Sequence, residues 1–437
     1  MRISLFQGIL IGVFSLGALI GLFVFATYTG SNKSAANVVG PVVIWGTLPK
    51  DDINTALVAA GKVDATLKGV SYVQKDPETL STDLATAIAT GAAPDLILSS
   101  QENLLTLRKL IKPIPISTLS ARTFEDTFTA EANLFAVPGA NGYYGIPFLI
   151  DPLVLFSNQD ILSSDGIAVP PTTWEEIIGL VSKVALFTPA QQITRGLIAL
   201  GTYDNVHDAR GILSALFLQA GAPLSSYSSG DTLAANLGET GNGGVRAGQA
   251  ALGFYTQFAD PSKISYTWNA SLPDSQRSFL AGNLGLYLGY VSEARYFVAA
   301  NPNLNFNVSP LPQPATAALK SAYGLVYAFM IPLGAKNPTG AYTVASLLTG
   351  STEQSTAALA TGLAPAVRSA LASAPADDPV AAVAYAEALY TEGWLSPAPA
   401  DTDRIFSSMI GNVISGRSNL DTALSFAEQS LTALLQQ

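Results

Sequence analysis

The run YGIPFLIDPLVLFSNQDIL (144–162) decides the fold. Its residues from Gly145 to Phe156 are almost all apolar, yet Pro147 and Pro152 would break any helix there. The segment therefore reads as extended chain that crosses from one domain to another, with a boundary near Asp151. Upstream, Pro41-Val42-Val43-Ile44-Trp45 is a compact apolar run ended by Gly46, a buried strand feeding a loop. Leu80 to Thr90 carries helical spacing (Leu80, Leu84, Ala87, Ile88) and stops at Gly91. Pro94-Asp95-Leu96-Ile97-Leu98 is a second short strand, closed by Ser99-Ser100-Gln101-Glu102-Asn103.

Downstream, Thr172-Thr173-Trp174-Glu175 carries capping-box spacing and opens a helix through about Val184. Glu175 and Glu176, in its first turn, offset the helix dipole and read as structural. Residues 222–246, rich in Gly, Ser and Asn, read as a surface loop. Phe306 to Pro314 is a second extended stretch, Tyr323 to Ile331 a further strand, and the apolar steps from Leu420 to Leu434 predict a terminal helix. Strands alternating with helices predict α/β units around a largely parallel sheet, with ligands at the carboxyl ends of the strands.

Length and composition bound the rest. A chain of 437 residues fits two lobes, and 49% hydrophobic against 12% charged residues excludes disorder. The net charge of −10 argues against nucleic acid and against a phosphorylated ligand. With no cysteine, disulfides, thiolate nucleophiles, zinc-thiolate sites and iron–sulfur clusters are excluded, and His207 is the only histidine. No cofactor and no metal is expected. Ile3 to Tyr28 is almost unbroken apolar sequence, longer than the about 7–15 residues of a signal-peptide core and close to the about 20 that span a bilayer. It predicts one uncleaved N-terminal transmembrane helix with Arg2 on the cytoplasmic side and the remainder outside. Cleavage near Ala35 or Ala36, giving a secreted protein, is the other reading.

Chemistry is sparse. A serine triad would need His207, and no Gly-x-Ser-x-Gly turn accompanies it. Gly238 to Gly244 superficially resembles a phosphate loop but lacks the preceding strand and the Lys-Ser/Thr pair. Glu102 and Asp151 are the best-placed acids for a glycoside hydrolase, although acids at strand ends serve equally well as acceptors for sugar hydroxyls. Trp45, Tyr203, Trp268, Tyr290 and Tyr323 sit beside small or polar residues at element ends, where an exposed ring can stack on an apolar ligand face.

Together, VVIWGT (42–47), DLATAIATGAAPDLILSSQENL (83–104), the crossing run 144–162, PPTTWEEI (170–177), FLAGNLGLYLGY (279–290), NFNVSPLPQP (305–314), the 323–350 stretch and SGRSNLDTALSFAEQSL (415–431) resemble the extracellular solute-binding proteins of ABC transporters, family 1, the maltose-binding-protein-like group. The pieces run in family order. Gly282-Asn283-Leu284-Gly285-Leu286 stands where that family usually has Gly-Lys-x-Ala-Met, Tyr290 where it often has Trp, and Ser99-Ser100 lacks an aromatic residue.

The resemblance implies an α/β, two-lobed, type II periplasmic-binding-protein-like clamp. Residues 1–30 would be the anchor, 31–40 a tether, 41–150 plus 312–360 the first lobe, and 151–311 plus 361–437 the second. Ligand contacts are expected at Trp45, Gly46, Thr47, Ser99, Gln101, Glu102, Asp151, Tyr203, Asn205, Tyr290, Tyr323 and Asp403. The expected protein is not an enzyme but a monomeric, membrane-anchored receptor that delivers a neutral solute, preferably an oligosaccharide, to the transmembrane subunits of an ABC permease. The alternatives are a secreted glycoside hydrolase using Glu102 and Asp151, and a sensory or adhesive ectodomain with the same clamp.

Overall fold

The computed structural model describes residues 39–139, 142–228, 231–238 and 246–437. The expected anchor lies outside the described residues, as do most of the tether and of the glycine-rich run 238–244. Among the described residues, no helix is long and apolar enough to cross a membrane.

Eight strands carry the fold: β1 (Val42–Gly46), β2 (Val70–Gln74), β3 (Leu96–Ser100), β4 (Gly145–Asn158), β5 (Ile193–Ile198), β6 (Leu284–Tyr290), β7 (Phe306–Ser309) and β8 (Ala322–Met330). With three two-residue strands they form one eleven-stranded sheet, in the order β2-β1-β3-β8-β4-β6-β5 along its main path. The crossing run is β4, and all 14 of its residues are buried. Its first part, Gly145 to Pro152, pairs antiparallel with β8. Its second part, Leu153 to Ser157, pairs antiparallel with β6, while β7 joins the opposite edge from Leu155 to Asn158. One strand thus belongs to two half-sheets.

The exchange of partners falls at Pro152. Gly324 of β8 is opposite Pro152, and Tyr290 of β6 is opposite Leu153. Proline brings no amide hydrogen to leave unpaired in a buried break. Its carbonyl accepts from the Val291 amide at 3.0 Å. At Pro147, the register of β8 shifts between Tyr327 and Ala328, and the Pro147 carbonyl accepts from Gln354 Nε2 at 2.9 Å. Both prolines sit where the ladder is already interrupted.

Two expectations need correction. The sheet is mixed: β1 is parallel to β2 and β3, and β6 to β5, but every pairing of β4 with β8, β6 and β7 is antiparallel. The chain that returns from the second half to the first runs against the strand that left it. Residues 222–246 are not only loop, because Leu224–Tyr227 and Leu233–Asn236 form an antiparallel hairpin. Leu224, Leu233, Ala235 and Leu237 are buried, a two-residue period that the surrounding serines conceal.

Other local signals hold. Thr173 caps the helix Trp174–Val184, its hydroxyl accepting from the Glu176 amide while Glu176 reaches back to the Thr173 amide. The helix Leu80–Ala89 ends before Gly91, whose φ of +69° suits glycine. The terminal helix spans Leu420–Leu435. Phe156 of β4 packs edge-on against Phe297 at 5.1 Å and near Phe306 and Tyr287, anchoring the second half-sheet.

A methyl group at Gly324 would lie 2.6 Å from Thr391 Cγ2 and 3.0 Å from the Asp151 carbonyl oxygen. Gly324→Ala is therefore expected to destabilise the chain by about 1–3 kcal/mol. Gly179→Ala, with nothing within 4 Å of the added methyl, should stabilise the helix by about 0.5–1 kcal/mol. Chemical denaturation of both variants checks the pair; equal effects would show that the strand exchange tolerates crowding.

Candidate functional site

The carboxyl end of β3 turns straight into a short 3-10 segment, Gln101–Asn103, which is buried throughout. Gln101 Nε2 donates to the Gly324 carbonyl at 3.0 Å and its Oε1 accepts from the Val326 amide at 2.8 Å, tying this turn to β8. That brace aims Glu102 away from its own half-sheet. Arg210 meets it from the first turn of the helix Ala209–Gln219, donating through Nε to Glu102 Oε1 at 3.0 Å and through Nη2 to Oε2 at 2.9 Å. This is a two-point ion pair between a strand end beside β8 and a helix beyond β5 in the chain. The other side of the guanidinium, Nη1, donates to Asp403 Oδ2 at 2.6 Å, from the first turns of the helix Pro399–Ile414. Tyr323 donates to Glu102 Oε1 at 2.7 Å and Tyr203 to Asp403 Oδ1 at 2.5 Å.

Burial alone would lower the pKa of Arg210, but Glu102 and then Asp403 more than reverse this and hold the guanidinium charged. Burial, then the Asp403 charge, pushes the Tyr203 hydroxyl far above its ordinary value, so it remains a donor. Asp208 precedes the helix with a left-handed φ of 55°. Burial pushes its carboxyl up to about 6, against a hydrogen bond with Glu293 that works the other way. Glu293 is pushed well above the carboxylate range by burial and then by Asp208. It accepts from Tyr287 Oη, Gln276 Nε2 and the Tyr290 amide. A proton held between these two acids is the arrangement that spares a pair of adjacent buried charges.

Around Arg210 opens a cavity of about 380 Å³, walled by Tyr203, His207, Asp208, Tyr290, Asp274 and Asp403 among others. Gly211 makes room in this wall: a methyl group there would lie 2.5 Å from the Tyr290 hydroxyl, which would have to move. His207, Asp208 and Glu293 place three potential donor atoms within 4.8 Å of one another, the only grouping among the described residues that could bracket a metal ion. The surface offered to a guest is mostly polar: phenol rings, carboxylates and one pinned guanidinium. It suits a polyhydroxylated molecule, whose hydroxyls donate to acids and whose ring faces rest on tyrosine.

The structure brings together Glu102, Tyr203, Tyr290, Tyr323 and Asp403, five of the expected contact residues. Tyr323 is completely buried, so its contribution is the hydroxyl on Glu102 rather than a ring face. The remaining seven lie elsewhere. Trp45 is half-buried with Lys75 Nζ 3.9 Å above its ring, and Thr47 is half-buried beside it. Gly46 is buried, its missing side chain leaving room for Tyr72. Ser99 is buried and accepts from Asn103 at 3.1 Å. Both ends of the Gln101 amide are engaged by β8. Asn205 braces a loop, donating to the Asn269 and Leu272 carbonyls and accepting from Thr202. Asp151 is buried at the strand exchange, where its Oδ1 accepts from the Ser292 amide at 3.1 Å.

Trp268 was expected at an element end with an exposed ring, but it is core: 1% exposed and packed against Gly196 of β5. Arg210, Asp208 and Glu293 were missed. Arg210 carried a usable signal, since a cation in a first helical turn opposes the helix dipole and needs acids from elsewhere to hold it. Neither acid of the hydrolytic reading stands free: Arg210 grips both oxygens of Glu102, and Asp151 Oδ1 accepts from the Ser292 amide.

Charged groups from distant chain segments meet beside this cavity, over a sheet whose halves share a crossing strand, which is the arrangement of a two-lobed α/β binding protein. The chain belongs to the bacterial extracellular solute-binding proteins, whose sequence profile matches residues 56–384. Its place is therefore outside the cytoplasm, and the family is one of binding proteins, not enzymes. A search of curated protein sequences finds no match. Solved structures share the fold: the cyclic α-maltosyl-1,6-maltose binding protein of Arthrobacter globiformis has TM-score 0.72 at 17% identity, covering 91% of this chain and 100% of that one. A cyclo/maltodextrin-binding protein complexed with maltotetraose has TM-score 0.71 at 16% identity, covering 91% and 97%. The sugar-binding protein MalE of Xanthomonas citri has TM-score 0.69 at 20% identity, covering 90% and 97%.

Two outcomes are expected. Arg210→Met leaves Glu102 buried without its cation and should cost about 3–5 kcal/mol, and adding Glu102→Gln should recover part of it. A double-mutant cycle by denaturation would refute the coupling if the two losses simply add. Asp151 is pushed by burial from 3.8 up to about 7. Between those values the folded chain holds a proton that the unfolded chain has lost, so stability falls as pH rises through this window and levels off above it. Asp151→Asn should remove that part of the fall, gaining on the parent by a few kcal/mol between about pH 4 and about pH 8. Parallel stability profiles for the two proteins would expose the attribution as mistaken.

Proposed function

We propose that this protein is a membrane-anchored receptor that captures an oligosaccharide in the Arg210 cavity of its second lobe, where Arg210 meets Glu102 of the first, and presents it to an ABC permease. The lobes comprise residues 41–150 with 312–360 and residues 151–311 with 361–437, and the apolar N-terminal segment is the anchor. The observation that carries this reading is the Glu102–Arg210–Asp403 network, which joins chain segments assigned to different lobes beside a polar, tyrosine-walled cavity. Solved structures of the same fold support the saccharide class: they include proteins bound with maltotetraose, with maltotriose and with α-D-tagatose.

In this reading Tyr290 and Tyr203 provide ring faces, while Asp208, Asp403 and Glu102 accept from sugar hydroxyls at the cost of rearranging their present bonds. The remaining expected contacts, Trp45 to Thr47 and Ser99 among them, would border the same guest from the first lobe. Closure desolvates these bonds and so strengthens them. A ligand that binds the closed form better shifts the open–closed balance by that difference in affinity.

Thermal unfolding of the full-length chain against maltose, maltotriose, mannotriose and tagatose tests the proposal. A saccharide present at 100 times its dissociation constant should add about 2.7 kcal/mol to the folded state. Tyr290→Ala should weaken that saccharide about tenfold or more. No shift with any saccharide would overturn the ligand class, and a shift unaffected by Tyr290→Ala would move the site away from Arg210.

A further inference from the structure

A second cavity, of about 400 Å³, shares no lining residue with the Arg210 cavity. Its walls come from three separated segments: the 3-10 segment Ala130–Phe135, the hairpin Leu224–Tyr227 with Leu233, and Thr391–Leu395, part of which pairs with β8. Glu131 lines it. That side chain is 5% exposed, and among the described residues neither of its carboxylate oxygens has a hydrogen-bond partner. The chain passes so close that a methyl group on Gly393 would lie 2.7 Å from Glu131 Oε1. Glu392 supplies a second carboxylate to the same walls. The remaining lining includes Trp394, Tyr227, Leu134 and Leu395, and no Lys or Arg among the described residues. Arg108 is the cation near by, and it interacts with the Tyr227 hydroxyl.

A buried carboxyl with both oxygens unpaired is costly, and structures keep one where a partner completes it. The chemistry that completes this one is a cation with an apolar body: an ammonium fits between two acids, and an aromatic or aliphatic body fits against indole, phenol and leucine. We propose that the Glu131 cavity is a second binding site, distinct from the Arg210 cavity, for a small primary amine with an apolar body. Burial, and then the Glu392 charge, push the Glu131 carboxyl well above the ordinary range, so the empty site holds a proton. An arriving ammonium keeps its own protons and displaces that one to solvent, leaving a carboxylate–ammonium pair.

The test uses phenethylamine and its uncharged counterpart 2-phenylethanol on the full-length chain, by thermal unfolding and by calorimetry in two buffers of different ionisation heat. The amine should raise Tm and release a proton, seen as a buffer-dependent heat, while the alcohol should do neither. Glu131→Gln should weaken the amine by about tenfold or more. Glu392→Gln, at an exposed position, should fold normally and weaken it by a smaller factor. Overturning results are equal shifts with amine and alcohol, amine binding unchanged in Glu131→Gln, no amine shift at all, or an amine shift lost in Tyr290→Ala, which would put the amine at Arg210. Saccharide binding is measured on the same variants, and its loss or survival in Glu131→Gln reports on the cleft separately from the amine site.

Discussion

The structure depends on a single strand being buried along its whole length while serving two half-sheets. Every amide and carbonyl of β4 must find a partner without water, yet its neighbour has to change midway. Pro152 resolves this by lacking the one donor that the exchange would orphan, and the Val291 amide takes up its carbonyl. Gly324, opposite, lets β8 pass within van der Waals distance of the Asp151–Pro152 backbone. The Asp151 carboxyl caps the Ser292 amide where the chain leaves β6. A bending point with its hydrogen bonds complete can flex by small rotations of neighbouring residues without exposing polar backbone, which is what hinged closure needs.

Charge supplies the second constraint. Arg210 stands in a helical turn whose dipole disfavours it, and only Glu102 and Asp403, 108 and 193 residues away in the chain, make the position tenable. Such a pair adds little net stability over an apolar substitute of the same shape, but it rejects every arrangement that leaves one member alone. The chain segments that carry them are thereby held in one registration, with the hydroxyls of Tyr203 and Tyr323 orienting the carboxylates. Beside it, burial raises the carboxyls of both Asp208 and Glu293, and Asp208 raises that of Glu293 further.

Much of this was legible because the signals are local. Pro147 and Pro152 exclude helix whatever surrounds them, Thr173 and Glu176 meet within one turn, and Gly91 stops a helix by its own backbone. The order of the sheet was not legible, because β8 joins β3 and β4 from far along the chain, and no local pattern reports its direction. Strand-end aromatics divided for the same reason: Tyr290 reaches the cavity while Trp268, in a similar setting, faces the core behind β5. Glu102 and Asp403 could be singled out as acids at element ends. Their partner left only one trace, a cation in a first helical turn, and which acids hold Arg210 is settled only when distant segments are placed around it. Gln101 looked like a ligand group by its position, and only the β8 backbone shows why its amide is occupied.

The interleaving of the first half-sheet has a consequence for biogenesis. β3 is buried on both faces, and one of its edges is covered by β8, which lies more than two hundred residues later. A chain that emerges from its amino end first therefore presents an unpaired strand edge, with Ile97 and Leu98 among its residues, until residues 322–330 arrive. The second half-sheet, which joins β4 to β6, β5 and β7, needs no strand beyond Ser309 to complete these pairings. Maturation is thus ordered by the covalent route, and the interval before the return strand docks is when a holding chaperone would matter most to this protein.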